Sequence, residues 1–163
     1  MKLLYIVRHA KSSWDDPDLD DHDRPLNQRG LDNAADMAKR FAAWQALPQR
    51  ILSSTAERAF QTAQYFEQAL HPHPTELATT VGLYTDNAHE VVEIIQSVSD
   101  EVERLMVVCH NPAINDLVAR LGLKTENVPT CGVIVFAVHT REWKQFGPDN
   151  SQLLFFDYPK RLS

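Results

Sequence analysis

The sequence predicts a single domain built as a three-layer α/β/α sandwich around a mostly parallel, mixed sheet. Short apolar runs alternate with amphipathic stretches at helical spacing, the pattern of strand–helix units. The last third carries strand-like runs alone, which suits antiparallel additions to a parallel sheet. The length, 163 residues with no internal repeat or linker, suits one domain with a core large enough to fold without staples.

Each element has its own signal. Leu3 to Val7 is an unbroken apolar run, as expected of a strand buried on both faces. A helix begins near Asn27, with Leu31, Ala34, Ala38, Phe41 and Trp44 on one face. Arg50 to Ser53 is a second short strand. Ser54 and Glu57 have capping-box spacing and precede Ala59, Ala63, Phe66 and Leu70 on a helical face. A weaker strand covers Glu76 to Thr80, and a helix follows from about Asn87 through Val91, Ile94, Ile95 and Val98. Leu105 to Cys109 is another buried strand. Asn111 as cap, Pro112 at the first helical position and Gly122 past the end frame a helix from Pro112 to Leu121. Gly132 to Val138, Glu142 to Phe146 and Leu153 to Tyr158 complete the list as strands.

Composition narrows the function. The formal charge is −6, which argues against nucleic acid as a bulk partner, because binding a phosphate backbone needs a basic surface. A few arginines in one cleft can still bind a phosphate dianion. Two cysteines, Cys109 and Cys131, are too few for a disulfide framework, and neither belongs to a CxxC, so a reducing compartment is expected. The N-terminus lacks the long apolar region and cleavage site of a signal peptide, and no stretch approaches the roughly 18 apolar residues of a membrane span. A cytoplasmic protein is the expectation. Asp15 to Asp23 holds six Asp in nine residues, but lacks the glycine and closing glutamate of a calcium loop. It reads as a solvated loop.

The predicted topology gathers chemistry at one edge. Arg8 and His9 directly follow the first strand. Arg58 lies in the first turn of the helix after the second. His110 directly follows the strand Leu105 to Cys109. In a parallel sheet the carboxyl ends of the strands share one edge, where ligands bind. Two Arg, two His and two helix starts, near Ser54 and Asn111, are therefore expected around one pocket. Arginine grips phosphate oxygens with a bidentate fork and stays charged. Helix N–H groups add favourable partial charge. A neutral imidazole is a competent nucleophile toward phosphorus, and nearby arginines depress its pKa. Taken singly, each residue has an ordinary structural reading: a histidine satisfied by backbone, an arginine on a helix surface. Their convergence on one edge favours a phosphate site.

Other phosphatase chemistries lack their residues. A cysteine phosphatase needs Cys-x5-Arg, but Asn115 and Ala137 stand at those positions after Cys109 and Cys131. An aspartate nucleophile belongs directly after the first strand, where Arg8 and His9 stand. No glycine pattern forms a P-loop. His71 and His73 flank a proline without a convincing carboxylate or thiolate partner, so no metal site or cofactor is expected.

The segments LYIVRHAKSSW, LSSTAERAFQTA and VVCHNPAINDLV resemble, in order, spacing and setting, the motifs of the histidine phosphatase superfamily, whose fold is phosphoglycerate mutase-like. The family's RHG motif is Arg8-His9-Ala10 here, with Ala in place of the usual Gly. The resemblance runs from Leu3 to about Leu121 and implies that His9 becomes phosphorylated, with Arg8, Arg58 and His110 forming the phosphate pocket; Asn111, at the helix start beside His110, is a further candidate phosphate contact. The phrase DHDRPLNQRG and the short length most resemble the SixA-type phosphohistidine phosphatases, which makes Arg24 a candidate phosphate contact. Larger members carry a glutamate acid where this chain reads VGLYTDNAHE. Asp86 and Glu90 are the nearest carboxylates, and Tyr84 is a further candidate proton donor.

The missing acid favours a substrate with a good leaving group. An alkoxide benefits from a positioned acid, whereas the imidazole of phosphohistidine leaves protonated. The expectation is a metal-independent phosphatase acting on phosphohistidine in a partner protein. The alternatives are a small phosphomonoesterase of the same mechanism and a non-catalytic module that recognises phosphorylated partners. The sequence carries no signal of oligomeric state.

Overall fold

The computed structural model describes residues 1–44 and 46–162. In chain order its main elements are β1 (Lys2–Arg8), α1 (Gln28–Ala42), β2 (Arg50–Ser54), α2 (Glu57–Leu70), β3 (Glu76–Thr80), α3 (Ala88–Gln96), β4 (Arg104–Cys109), α4 (Ala113–Arg120), β5 (Val133–Val138) and β6 (Ser151–Asp157). The six strands form one sheet in the order β3-β2-β4-β1-β5-β6. The first four are parallel, while β5 runs antiparallel to β1, and β6 antiparallel to β5. The sandwich expected from the sequence is the fold observed.

Alternation along the central strands divides the core. Leu4, Ile6, Leu105, Val107, Ile134 and Phe136 face α3 and α4. Tyr5, Val7, Met106, Val108, Val133 and Val135 face α1 and α2. Both faces are covered, which is why these strands read as continuous apolar runs. Burying each such side chain contributes roughly 1.5–3 kcal/mol.

Caps set the helix limits. Asn27 accepts from the Gly30 N–H at 2.8 Å and starts α1. Past α4, Gly122 adopts φ 100°, and the Gly122 and Leu123 amides donate to Ala119 and Val118. That closes a Schellman turn. Gly30 matters for a different reason. A Cβ there would lie 2.0 Å from the Lys11 carbonyl, so glycine lets the start of α1 press against the loop leaving β1.

Four expectations need correction. Glu142 to Phe146 is not a strand: Trp143–Gln145 forms a 3-10 turn. Its two buried residues, Trp143 and Phe146, are three apart, and Trp143 Nε1 donates to the Val102 carbonyl at 2.7 Å. One-turn spacing wins over strand alternation. Trp44 lies beyond the end of α1, yet still packs on Phe41 and also meets Phe155 of β6. Pro112 is the cap of α4 and Ala113 its first residue, although the Asn111 side chain still accepts from the Asn115 N–H at 3.1 Å. Finally, Ser54 does not form a capping box. Ser54 ends β2, α2 starts at Glu57 behind Ala56, and the Ser54 hydroxyl is engaged elsewhere.

Candidate active site

Strand register brings the two histidines together. β1 and β4 pair in parallel with Arg8 opposite Cys109, so the next residues, His9 and His110, emerge side by side. Their ring centroids are 5.1 Å apart. The chain leaves β1 through α1 on one face and leaves β4 through α4 on the other. The histidines therefore stand at the topological switch point, where such sheets open a crevice. β2 flanks β4 on its other side, with Ser53 opposite Val108, and this register sets the Ser54 hydroxyl 2.7 Å from His110 Nε2.

Each imidazole is fixed differently. The Ala10 carbonyl lies 2.7 Å from His9 Nδ1, and a carbonyl only accepts. The proton of neutral His9 is therefore on Nδ1, and Nε2 carries a lone pair toward the cavity. Thr62 steadies this turn: its hydroxyl accepts from the Ala10 N–H at 3.0 Å and donates to the Arg58 carbonyl at 2.8 Å. On His110, Nδ1 is buried and has no hydrogen-bond partner among the described residues.

Three arginines complete the cavity, which measures about 530 Å³. Arg8 donates to the Val128 carbonyl at 2.8 Å. Arg58 donates to the Asp21 carbonyl at 2.7 Å and to its carboxylate at 3.0 Å. Arg24 is buried and reaches the other Asp21 carboxylate oxygen at 3.1 Å and the Ser12 hydroxyl at 2.7 Å. The Trp14 ring covers the Arg24 guanidinium at 3.5 Å and is itself 75% exposed. Tyr84 donates to the Asp21 carboxylate at 2.7 Å and meets the His110 ring edge-on.

Burial and positive charge keep both histidines neutral. Burial is the main cause of the fall in His9 to about 3, with His110, Arg58 and Arg8 adding to it. His110 falls to about 4 for the same first reason, with Arg58 and Arg8 contributing and Asp21 opposing. Burial alone would raise the Asp21 carboxyl. Hydrogen bonds from Tyr84, Arg58 and Arg24 outweigh it and hold the group well below the usual carboxylate range.

Arg8, His9, Arg24, Arg58, Tyr84, Asp86, His110 and Asn111 all line the cavity. The Asn111 side chain is also bonded to Asn127 and Val128, anchoring that wall. Asp86 stands exposed at the rim, and Glu90, exposed on α3, does not line the cavity. Sequence reasoning missed Asp21 and Trp14 in the lining, together with Lys11, Ser12, Thr85 and Thr130, and it missed Ser54 as the partner of His110. Asp21 was hidden among five other aspartates that do face solvent. The only hint was its place three residues before Arg24, a spacing that lets the two pair. Cys109 and Cys131 are buried, and burial pushes both thiols up to about 12, so neither is a nucleophile at neutral pH. Among the described residues no cluster of three or more His, Cys, Asp or Glu could hold a metal ion, and no helix is long and apolar enough to cross a membrane.

Guanidinium groups and neutral imidazoles at the carboxyl edge of a parallel sheet define an α/β protein with a cavity whose charge suits an oxyanion. Comparison with known proteins agrees. A model of the histidine phosphatase superfamily (branch 1) matches residues 4–84. An uncharacterised protein of Mycobacterium tuberculosis is 32% identical over 165 residues, covering 94% of this chain and 100% of the relative. An uncharacterised chloroplastic protein of Arabidopsis thaliana is 29% identical, covering 88% of this chain and 70% of its own length. Among solved structures, the Agrobacterium tumefaciens SixA protein, assigned as a phosphohistidine phosphatase, superimposes with a TM-score of 0.82 at 27% identity, covering 97% of this chain and 98% of its own. The protein histidine phosphatase SixA complexed with tungstate superimposes at 0.79, covering 99% of each chain, but at 23% identity it speaks for the fold alone.

The chain belongs to the histidine phosphatase superfamily, which makes it a phosphatase of the hydrolase class. Its likeness within the superfamily is to the SixA type.

Proposed function

We propose that this protein hydrolyses phosphohistidine in a partner protein, by way of a phosphohistidine intermediate on its own His9. The observation that carries this reading is the His9 ring. Its Nδ1 is committed to the Ala10 carbonyl, its pKa is far below neutrality, and the remaining nitrogen meets a cavity lined by Arg8, Arg24, Arg58 and His110.

The chemistry follows from these groups. The arginines bind the phosphoryl oxygens, and Asn111 borders them. The His9 Nε2 lone pair forms a bond to phosphorus as the bond to the substrate imidazole breaks. That imidazole, protonated on its distal nitrogen, departs as a neutral ring. A water then attacks the phosphorus, releases a proton to solvent, and the N–P electrons return to Nε2. Ser54 accepts from the Ala56 N–H at 3.2 Å, so its own proton is available to His110 Nε2. Donation in that direction holds the His110 proton on Nδ1, the atom left without a partner, where it stabilises a phosphoryl oxygen. Preorganised donors of this kind are worth roughly 100- to 1000-fold in rate. No step requires a metal.

The proton-donor candidates support the substrate. Tyr84 donates to Asp21 and is raised first by that bond, Asp86 is exposed, and Glu90 is outside the cavity. A leaving group that departs already protonated suits such a site better than an alkoxide. The Agrobacterium tumefaciens SixA structure, assigned as a phosphohistidine phosphatase, is consistent with the same class of substrate.

The test offers the purified protein, without added metal, a phosphohistidine-bearing protein domain and p-nitrophenyl phosphate. Phosphohistidine turnover is expected to be the faster, with acid-labile phosphate retained on the enzyme. His9→Ala is expected to lower both activities roughly 10⁴-fold or more. Turnover of the ester alone would leave a small phosphomonoesterase, and phosphate binding without turnover would leave a recognition module.

A further inference from the structure

Beside the catalytic cavity, and sharing Lys11 and Thr130 with it, lies a second cleft of about 330 Å³ lined also by Arg29, Asn33, Tyr158 and Lys160. We infer that this cleft binds a second anionic group of the substrate, an acidic side chain displayed by the phosphorylated protein near its phosphohistidine. The inference deepens the function proposed above and rests on it.

Three anchored segments build the cleft. The first is the loop leaving β1. The Asn27 N–H donates to the Lys11 carbonyl at 3.0 Å, and Gly30 lets α1 close against that same carbonyl. This contact sets the exposed side chains of Lys11 and Arg29 on neighbouring segments, Lys11 between the two cavities and Arg29 in the second alone. The second is the turn before β5, held where the Cys131 N–H donates to the His9 carbonyl at 3.0 Å. The third is the chain after β6. Arg40 donates to the Tyr158 carbonyl at 3.2 Å and to the Pro159 carbonyl at 2.8 Å, fixing that wall.

Charge identifies the occupant. The chain carries −6 overall, yet among the described residues no Asp or Glu lines this cleft. Neither Lys11 nor Arg29 has an ion-pair partner among the described residues. Arg29 stands in the first turn of α1, which contains no acidic residue. A cation there opposes the helix dipole, and a local choice against stability points to a use elsewhere. A surface of this sign next to the phosphoryl site favours substrates with a carboxylate beside the phosphohistidine and excludes those with a lysine there.

The experiment compares two phosphohistidine peptides, one with glutamates flanking the histidine and one with glutamines, together with p-nitrophenyl phosphate. For the wild-type protein, kcat/KM is expected to favour the glutamate peptide by roughly 5-fold, weakening as salt is added. Arg29→Gln should abolish most of the preference and Arg29→Glu should reverse it, with Arg29→Lys retaining it. Ester hydrolysis and thermal stability should stay within about twofold and a degree or two, because Arg29 lies on the surface outside the catalytic cavity. Equal turnover of the two peptides by the wild type, or a preference that survives in Arg29→Glu, would overturn this inference and leave the proposed function standing. Turnover of the ester with neither peptide would overturn both.

Discussion

The inner wall of the cavity, Arg8, His9 and His110 at strand ends with Ser54 bonded to His110, is held by sheet register, whereas the outer wall, Trp14, Asp21, Arg24 and Tyr84, is held largely by bonds among its own side chains. On the inner wall, a one-residue slip between β1 and β4 would separate His9 from His110, and two hydrophobic faces oppose any such slip. On the outer wall, one carboxylate gathers two arginines and a tyrosine from three segments of the chain. The difference suggests a division of work. Groups that must meet the reacting atoms at fixed geometry belong to the sheet, while groups that receive the substrate belong to the loops. Substitutions on the inner wall should then lower kcat, and those on the outer wall should raise KM.

The largest expected effect after loss of His9 is at His110. His110→Gln should lower kcat roughly 100- to 1000-fold and change KM little, because the lost donor acts on charge that develops in the transition state. Steady-state kinetics on both substrates would check this. An equal loss confined to KM would move His110 to the receiving wall and break the distinction.

The inner wall should also govern stability in acid. His9 and His110 stay neutral in the fold down to about 3 and about 4, while in the unfolded chain each titrates near its ordinary value of 6.5. Between those limits the unfolded chain binds protons that the folded chain lacks, so stability is fully present above pH 6.5 and is lost as pH falls. Each histidine should contribute a slope of about 1.4 kcal/mol per pH unit between about pH 6 and 4.5. Urea unfolding across that range should reveal it, and His110→Gln should remove about half. A flat profile would mean that the two rings are not held neutral by burial.

The same contrast explains what was legible in the sequence. Strands buried on both faces announce themselves as apolar runs, and a residue directly after such a strand has one place to go. Arg8, His9 and His110 were readable for that reason, as was Arg58 in the first turn of α2. Ser54 was read as a helix cap because local spacing cannot reveal that His110, from a strand 56 residues later, arrives at hydrogen-bond distance. Asp21 was invisible because its partners lie 3, 37 and 63 residues away in sequence. The segment from Glu142 to Phe146 misled because it lies between two strand-like runs, although its apolar residues, Trp143 and Phe146, stand three apart, the spacing of a single buried turn.

Asp21 gives the smallest effect and the sharpest question. Its carboxylate occupies donors of both Arg24 and Arg58 that a phosphoryl group would also use. A guanidinium has five N–H donors, so a carboxylate can orient it and still leave donors for a second anion. If orientation is the role, Asp21→Asn loosens both arginines. KM should then rise roughly 10-fold, about 1.4 kcal/mol, with kcat within about threefold. If the carboxylate instead competes with the substrate, the same variant binds inorganic phosphate more tightly than the wild type. Titration of inorganic phosphate into the two proteins separates these outcomes. Weaker binding is the result expected here, because the Asp21 carboxylate is the ion-pair partner of Arg58 among the described residues, and the Arg58 Nε has no partner among them. Without that carboxylate, the bond from Arg58 to the Asp21 backbone carbonyl remains, but the ion pair that orients the guanidinium is lost.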